Sequence, residues 1–275
     1  MKSKAAVVAR LGRAATYALA ALFALWVITP IYLIGVAAFS ERAAVYQFPK
    51  PLIPAPFSVE TMLFFLRSHG VLQATQASVT VALLTLALTT VIGAPAGYAL
   101  ARYGFRGRDS FRILIVSTRG FPIVILSIPL AVSFMRWGLY DSPYSLALMH
   151  TALALPFTIL VTSSVFASVP RDLEEAAMTL GCNPVQAFLR VALPLALPGL
   201  AAATLFTFVL SWNEVFAAVI LTVRNRTLPA LVLTVLNESP LPYRFAGGFF
   251  MLLPSLVFML FIRRYLLNLW GRVVK

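Results

Sequence analysis

The chain has 275 residues, of which 60% are hydrophobic and only 11% charged, and its mean hydropathy is +0.89. Soluble domains carry about 25% charge and 45–50% apolar residues, so this composition belongs to a polytopic membrane protein and excludes most soluble enzymes. A net charge of +13 would point to nucleic acid in a soluble protein, but here it is the expected mark of positive-inside topology, with no nucleic-acid partner.

A spanning helix needs about 20 mostly apolar residues, because the hydrocarbon core is roughly 30 Å thick. Six stretches qualify, near 14–39, 74–100, 111–135, 144–168, 197–222 and 245–269. The first follows Lys2, Lys4, Arg10 and Arg13 as a signal peptide would, but its apolar run far exceeds the 7–15 residues of such a segment, so it reads as an uncleaved span. The loop at 40–73 carries Pro49, Pro51, Pro54 and Pro56 among aromatics, which suits extended chain and a short helix on the membrane surface. Gly93 and Gly97 give the second span a small-xxx-small face for close packing. Prolines 30, 95, 122, 129, 156, 198 and 254 fall within or at the ends of spans, where each tends to kink its helix.

With the N-terminus inside, Lys2, Lys4, Arg10, Arg13, Arg102, Arg106, Arg108, Arg112, Arg171, Arg190, Arg263, Arg264, Arg272 and Lys275 are cytoplasmic. Arg42, Lys50, Arg67, Arg136, Arg224, Arg226 and Arg244 fall outside, and fourteen against seven places both termini in the cytoplasm. One cysteine, Cys182, and two histidines, His69 and His150, are too few for an internal disulfide or a zinc site of the usual kind.

Residues 168–194 read SVPRDLEEAAMTLGCNPVQAFLRVALP, and local chemistry divides them into two short helices. Pro170 suits a first helical position, Asp172, Glu174 and Glu175 suit early turns, and Gly181 suits a left-handed cap. Asn183 can cap the next helix, with Pro184 at its first position and Gln186 completing a capping box. Leu173, Ala176, Ala177 and Leu180 share one face of the first helix, flanked by carboxylates. Such a helix can lie among lipid headgroups or dock in a protein groove.

Glu175-Ala176-Ala177, three residues, Gly181, nine residues, then Val191-Ala192-Leu193-Pro194 resembles the EAA loop of bacterial ABC importer permeases, with Val191 where isoleucine is usual. The resemblance implies an all-α fold of six transmembrane helices, the type I ABC importer permease fold, as one transmembrane domain over 1–275 in the bacterial inner membrane. It implies a coupling role for 169–196, carried by Glu174, Glu175, Ala176, Ala177, Gly181 and Pro194, with Glu175 meeting a basic group on an ATPase. Ser211-Trp212-Asn213-Glu214 resembles a stretch of the second permease of maltose-type carbohydrate importers, with Val215 where phenylalanine is usual, and Phe245–Gly248, Arg264-Tyr265-Leu266 and Gly271–Lys275 are similar to the end of that group. The implied partners are an ATPase dimer, a second permease, an extracytoplasmic solute-binding protein and a carbohydrate, the last accepted by alternating access.

No G-x-x-x-x-G-K-[ST] or G-x-G-x-x-G occurs, so the chain has no recognisable nucleotide site, is not itself an enzyme and binds no cofactor. ATP and Mg are expected on the partner ATPases. Within the spans, Glu214, Arg119, Asn213 and Trp212 are the candidates for a substrate pathway. An ionisable group deep in a span costs roughly 2.5–3.5 kcal/mol on insertion scales and usually faces protein or a water-filled cavity. Arg119 can pair with Glu214 or another acceptor, or contact substrate. Asn213 and Glu214 can bind hydroxyls beside an indole, or knit helices together and set a gate. The rival readings are an ABC permease for another small solute and an autonomous secondary transporter. The latter leaves the ordered EAA loop unexplained.

Overall fold

The computed structural model describes residues 2–236 and 238–270, with side chains omitted in 2–11, 235–236 and 264–270. The terminal Gly271–Lys275 and the side chains of Lys2, Lys4, Arg10, Arg264, Tyr265 and Leu266 therefore lie outside the described set. The chain runs through α1 (Lys2–Ala38), α2 (Glu60–Arg67), α3 (Val71–Arg102), α4 (Arg108–Ser117), α5 (Ile123–Arg136), α6 (Pro143–Ser168), α7 (Arg171–Thr179), α8 (Pro184–Ala187), α9 (Leu193–Asn213), α10 (Phe216–Leu221), α11 (Leu228–Leu236) and α12 (Leu241–Trp270). No strand occurs among the described residues, so the fold is all-α, as expected.

Five helices are long and apolar enough to cross a membrane: Gly12–Ala38, α3, α6, Pro184–Asn213 and Leu241–Arg263. A sixth crossing comes from α4 and α5, which meet at a bend of 89°. The third expected span, 111–135, is thus broken rather than continuous. Thr118–Gly120 forms a tight 3-10 turn, and Pro122, with no N–H to give, stands extended before α5. The fifth, 197–222, is also broken, because α9 stops at Asn213 and Glu214 is extended before the short α10. This span begins earlier than expected as well. Asn183 Oδ1 accepts from the Gln186 N–H at 2.8 Å and Gln186 Oε1 from the Asn183 N–H at 3.0 Å, closing the expected capping box. From there the helix continues through a π-turn at Phe188–Ala192 into α9, so the second loop helix is the start of the span. Pro194 follows this turn and has no N–H for the Arg190 carbonyl, which favours the local widening.

Contacts group the chain into two units. The first comprises 1–68 and 235–251. In it Phe39 stacks on Phe57 at 5.9 Å and meets the edge of Phe249 at 5.2 Å, while Phe65 packs on Tyr243 and Phe250. Helix α1 leaves Leu22, Phe23, Leu25 and Trp26 exposed around its circumference, as a lipid-bathed helix does. The Pro-rich segment contains one 3-10 turn, Ala44–Tyr46, and α2, with the Lys50 ammonium donating to the Val45 carbonyl.

The second unit comprises 69–234 and 252–275. Its centre is α3 against α6. A methyl at Gly93 would meet Thr158 Cγ2 at 2.8 Å, and one at Gly97 would meet the Ser163 backbone N at 2.8 Å, so Gly93 admits a side chain of α6 and Gly97 its backbone, the close packing that the small-xxx-small pattern predicts. The Thr162 hydroxyl donates to the Gly93 carbonyl at 3.0 Å, and Thr158 lies 3.3 Å from Thr207 of α9. At one end of this unit Arg102 donates to the Val169 carbonyl (2.9 Å) and Arg171 to that of Arg102 (3.2 Å). At the other end Asp141 accepts from the N–H groups of Val223, Arg224 and Asn225, and the Ser78 hydroxyl accepts from the Leu228 N–H. Loops thus alternate between two ends, and α4–α5 together cross from one to the other.

Candidate functional site

Two features combine unusual chemistry with exposure: helix α7, and a cavity between the two broken spans. Helix α7 starts at Arg171, with Pro170 just outside it in an extended conformation rather than at its first position. Gly181 has φ +96°, the left-handed cap its position predicts. Leu173, Glu175, Ala176 and Leu180 are exposed and Ala177 is half-buried, so the apolar face faces away from the unit, with Leu180 88% exposed.

Glu174 behaves differently from Glu175. It is 5% exposed and points inward, where Oε1 accepts from Arg102 Nε (2.8 Å) and Nη2 (2.5 Å), and Oε2 from the Tyr98 hydroxyl (2.5 Å). It therefore does not stand beside Glu175 on the outward face. One helical step of about 100° turns adjacent carboxylates to different surroundings. Tyr98 lies 4.6 Å from Phe188 and 5.4 Å from Phe166, so the ion pair anchors α7 to the end of α3 and to the start of the penultimate span. Pro194 is exposed, beyond the π-turn.

The cavity has a volume of about 880 Å³. Thr118, Arg119, Phe121 and Ile123 line it from the first break, Met149, Leu153 and Pro156 from α6, and Leu210, Asn213, Glu214 and Phe216 from the second. Broken backbone inside a bilayer is tolerated where it borders a cavity or is buried in protein, and both breaks here border the same space. Of the four expected pathway residues, Arg119, Asn213 and Glu214 converge on it. Trp212 does not: it is 1% exposed and lies parallel to Phe208, because its position on α9 is turned away from that of Asn213.

Glu214 does not pair with Arg119. Its Oε1 accepts from the Ala217 N–H (3.1 Å), and Oε2 from the Ala218 N–H (3.2 Å) and from His150 Nε2 (3.3 Å). The carboxylate so caps the first turn of α10 and fixes the break. His150 is wholly buried, with Nδ1 2.9 Å from Ser211 Oγ, which lies 3.5 Å from Thr85 Oγ1. A polar chain thus ties α3, α6, α9 and α10 together. Sequence reasoning weighed His150 only as a metal ligand and missed this role. A histidine two turns inside a largely apolar span was the available signal.

The family model for the binding-protein-dependent transport system inner membrane component matches residues 89–267, which contain both α7 and the cavity. This chain belongs to that family. The permease is 33% identical over 232 residues to a trehalose transport system permease protein of Mycobacterium tuberculosis, covering 82% of this chain and 84% of the relative. It is 38% identical over 165 residues to a sulfoquinovosyl glycerol transport system permease protein of Agrobacterium fabrum, covering 59% and 58%. Among solved structures it resembles a chain of a bacterial ABC transporter involved in the import of the acidic polysaccharide alginate, with TM-score 0.74, 23% identity and coverage of 94% and 97%. It also resembles a chain of a methionine ABC transporter, with TM-score 0.60, 18% identity and coverage of 74% and 96%. The permease therefore has the type I ABC importer fold and is a multi-pass inner-membrane subunit of a binding-protein-dependent importer.

Proposed function

We propose that the permease carries a carbohydrate, forms half of the pathway with a second permease, and is driven by an ATPase dimer that docks on α7. The observation that carries this reading is an exposed apolar face on α7, held rigidly by the buried Glu174–Arg102 pair to helices that run back to the cavity. Small Ala176 and Ala177 permit close approach of a cleft wall, and exposed Glu175 supplies a carboxylate for a basic group there. Movement of α7 pulls on α3 and on the π-turn, and so on the spans that carry the broken segments.

ATP and Mg sit on the ATPases in this scheme, binding draws them together, and the cavity opens to the extracytoplasmic side to take solute from its binding protein. Hydrolysis restores the inward state. Both termini and α7 face the cytoplasm, as the basic residues require. The carbohydrate class is supported by the trehalose, sulfoquinovosyl glycerol and diacetylchitobiose permeases among the relatives. The fold alone does not select it, since a methionine transporter shares it.

The test is reconstitution in proteoliposomes. The chain copurified with its ATPases and second permease should take up sugar from the binding protein only with internal ATP, and the chain alone should be inert under an ion gradient. Uptake by the chain alone would contradict the proposal.

A further inference from the structure

The cavity offers a ligand more than a general affinity for sugars. Among the described residues two charged side chains line it, Arg119 and Glu214, and they are not equivalent. Glu214 is committed: both oxygens accept hydrogen bonds, two from backbone N–H groups of α10 and one from His150, and its side chain is 8% exposed. Arg119 is exposed and has no carboxylate partner among the described residues. Its guanidinium lies over the Phe157 ring at 5.9 Å, and Phe157 in turn packs on Phe206 at 3.7 Å. This stack steadies the cation without neutralising it and leaves its in-plane N–H donors open.

The neighbouring polar groups are uncharged and suit hydroxyls. One Asn213 amide N–H donates to the Val209 carbonyl at 2.9 Å and the Thr118 hydroxyl to that of Ile115 at 2.6 Å, which leaves Thr118 only its acceptor lone pairs and Asn213 its oxygen and one N–H. The site presents a cluster of donors on Arg119, an acceptor on Thr118, and an acceptor with one remaining N–H on Asn213. Hydroxyls can satisfy the acceptors. Five donors on a cation held against the Phe157 ring match a group that only accepts.

We infer that the cargo is an acidic carbohydrate, whose carboxylate, sulfonate or phosphate is bound by Arg119 as it crosses the cavity. This inference rests on the carbohydrate reading above and narrows it. Asn213 and Thr118 then meet the hydroxyls of the same molecule, and Glu214 stays outside the binding set as the fixture of the α9–α10 break.

The test measures ATPase stimulation of the assembled transporter in lipid nanodiscs, with its solute-binding protein, by matched acidic and neutral solutes. The acidic probes are digalacturonate, matched by neutral galactobiose, and sulfoquinovose and glucose 6-phosphate, each matched by neutral glucose. At least one acidic probe should stimulate at least tenfold more than its neutral counterpart. Arg119→Gln should erase that ratio, and Arg119→Lys should keep part of it. Stimulation by neutral sugars alone overturns the inference and leaves the carbohydrate reading standing. A loss in Arg119→Gln that is equal for every solute also overturns it, since Arg119 would then be meeting a carboxylate of the second permease. Silence across the panel with the ATPase present overturns both readings.

Discussion

Asp141 shows how one side chain can hold an interhelical turn. Its backbone is left-handed, with φ 57°, a region that aspartate tolerates better than most residues, and its carboxylate gathers the N–H groups of Val223, Arg224 and Asn225. Partial burial pushes its pKa up, but these N–H donors and the Arg224 charge outweigh it and hold the carboxyl below the usual carboxylate range. A depressed folded-state pKa contributes stability that is present above the ordinary carboxylate pKa of about 4 and is lost as pH falls through the lower folded value. Hydrogen exchange at 223–225 should therefore stay pH-independent in protection near neutrality and lose protection only below about pH 4. Asp141→Asn should show the loss already at pH 7. In the membrane, His150→Leu should leave the Glu214 carboxylate short of a donor and loosen the break, lowering both thermal stability and uptake while insertion persists. Uptake equal to wild type would show that His150 is mere filling. Arg119, Asn213 and Glu214 were legible as candidates in the sequence because charged and amide groups in apolar runs stand out, whereas their convergence on one cavity depends on the two breaks. The inward turn of Trp212 was not, because the phase of a helix next to a break depends on where the break falls.

Among elements, α7 and its anchor carry the most consequence. A buried ion pair is costly to break and cheap to replace as a unit: removing one partner costs about 3–5 kcal/mol, whereas an apolar pair of similar volume is often neutral. Arg102→Met should thus lower the melting temperature of the purified chain markedly, and the double variant Arg102→Met with Glu174→Leu should recover most of it. If the pair also transmits motion, the double variant should remain defective in ATP-driven uptake despite its restored stability. Normal uptake would reduce the pair to a structural fastening. Packing of α3 on α6 is equally specific: Gly97→Leu would drive a side chain into Thr162 and the backbone at Ser163, neither of which can yield cheaply, at a cost of about 1–3 kcal/mol. The glycine face, the Gly181 cap and the Asn183 capping box were readable from local chemistry. Continuity of α8 into α9 was not, because Pro194 reads as a helix breaker yet here only widens the turn before it.

On the scale of the whole molecule, composition alone settled the membrane class, and the charge bias supplied an orientation that the alternation of loop ends is compatible with. Cys182, the one cysteine in the chain, lies half-buried between α7 and α8 and reports sidedness without engineering. A membrane-impermeant maleimide should label it in inside-out vesicles and not in right-side-out ones, and docking of the ATPases should slow the reaction. Labelling from the extracytoplasmic side would invert the topology. The six apolar runs were legible from hydropathy, but the two breaks make the spans the walls of a cavity rather than plain crossings. Of these only the first was marked by a proline. At the second, it is the Glu214 carboxylate that ends one helix and starts the next, a role that depends on His150 from a span more than sixty residues away.

The central claim is that α7 couples ATP hydrolysis to the spans, and ATPase activity of the assembled transporter in nanodiscs tests it most directly. Solute-loaded binding protein should stimulate the wild-type rate well above basal, and Glu175→Lys, at equal membrane insertion, should remove that stimulation. Full stimulation of the Glu175→Lys transporter would contradict the account.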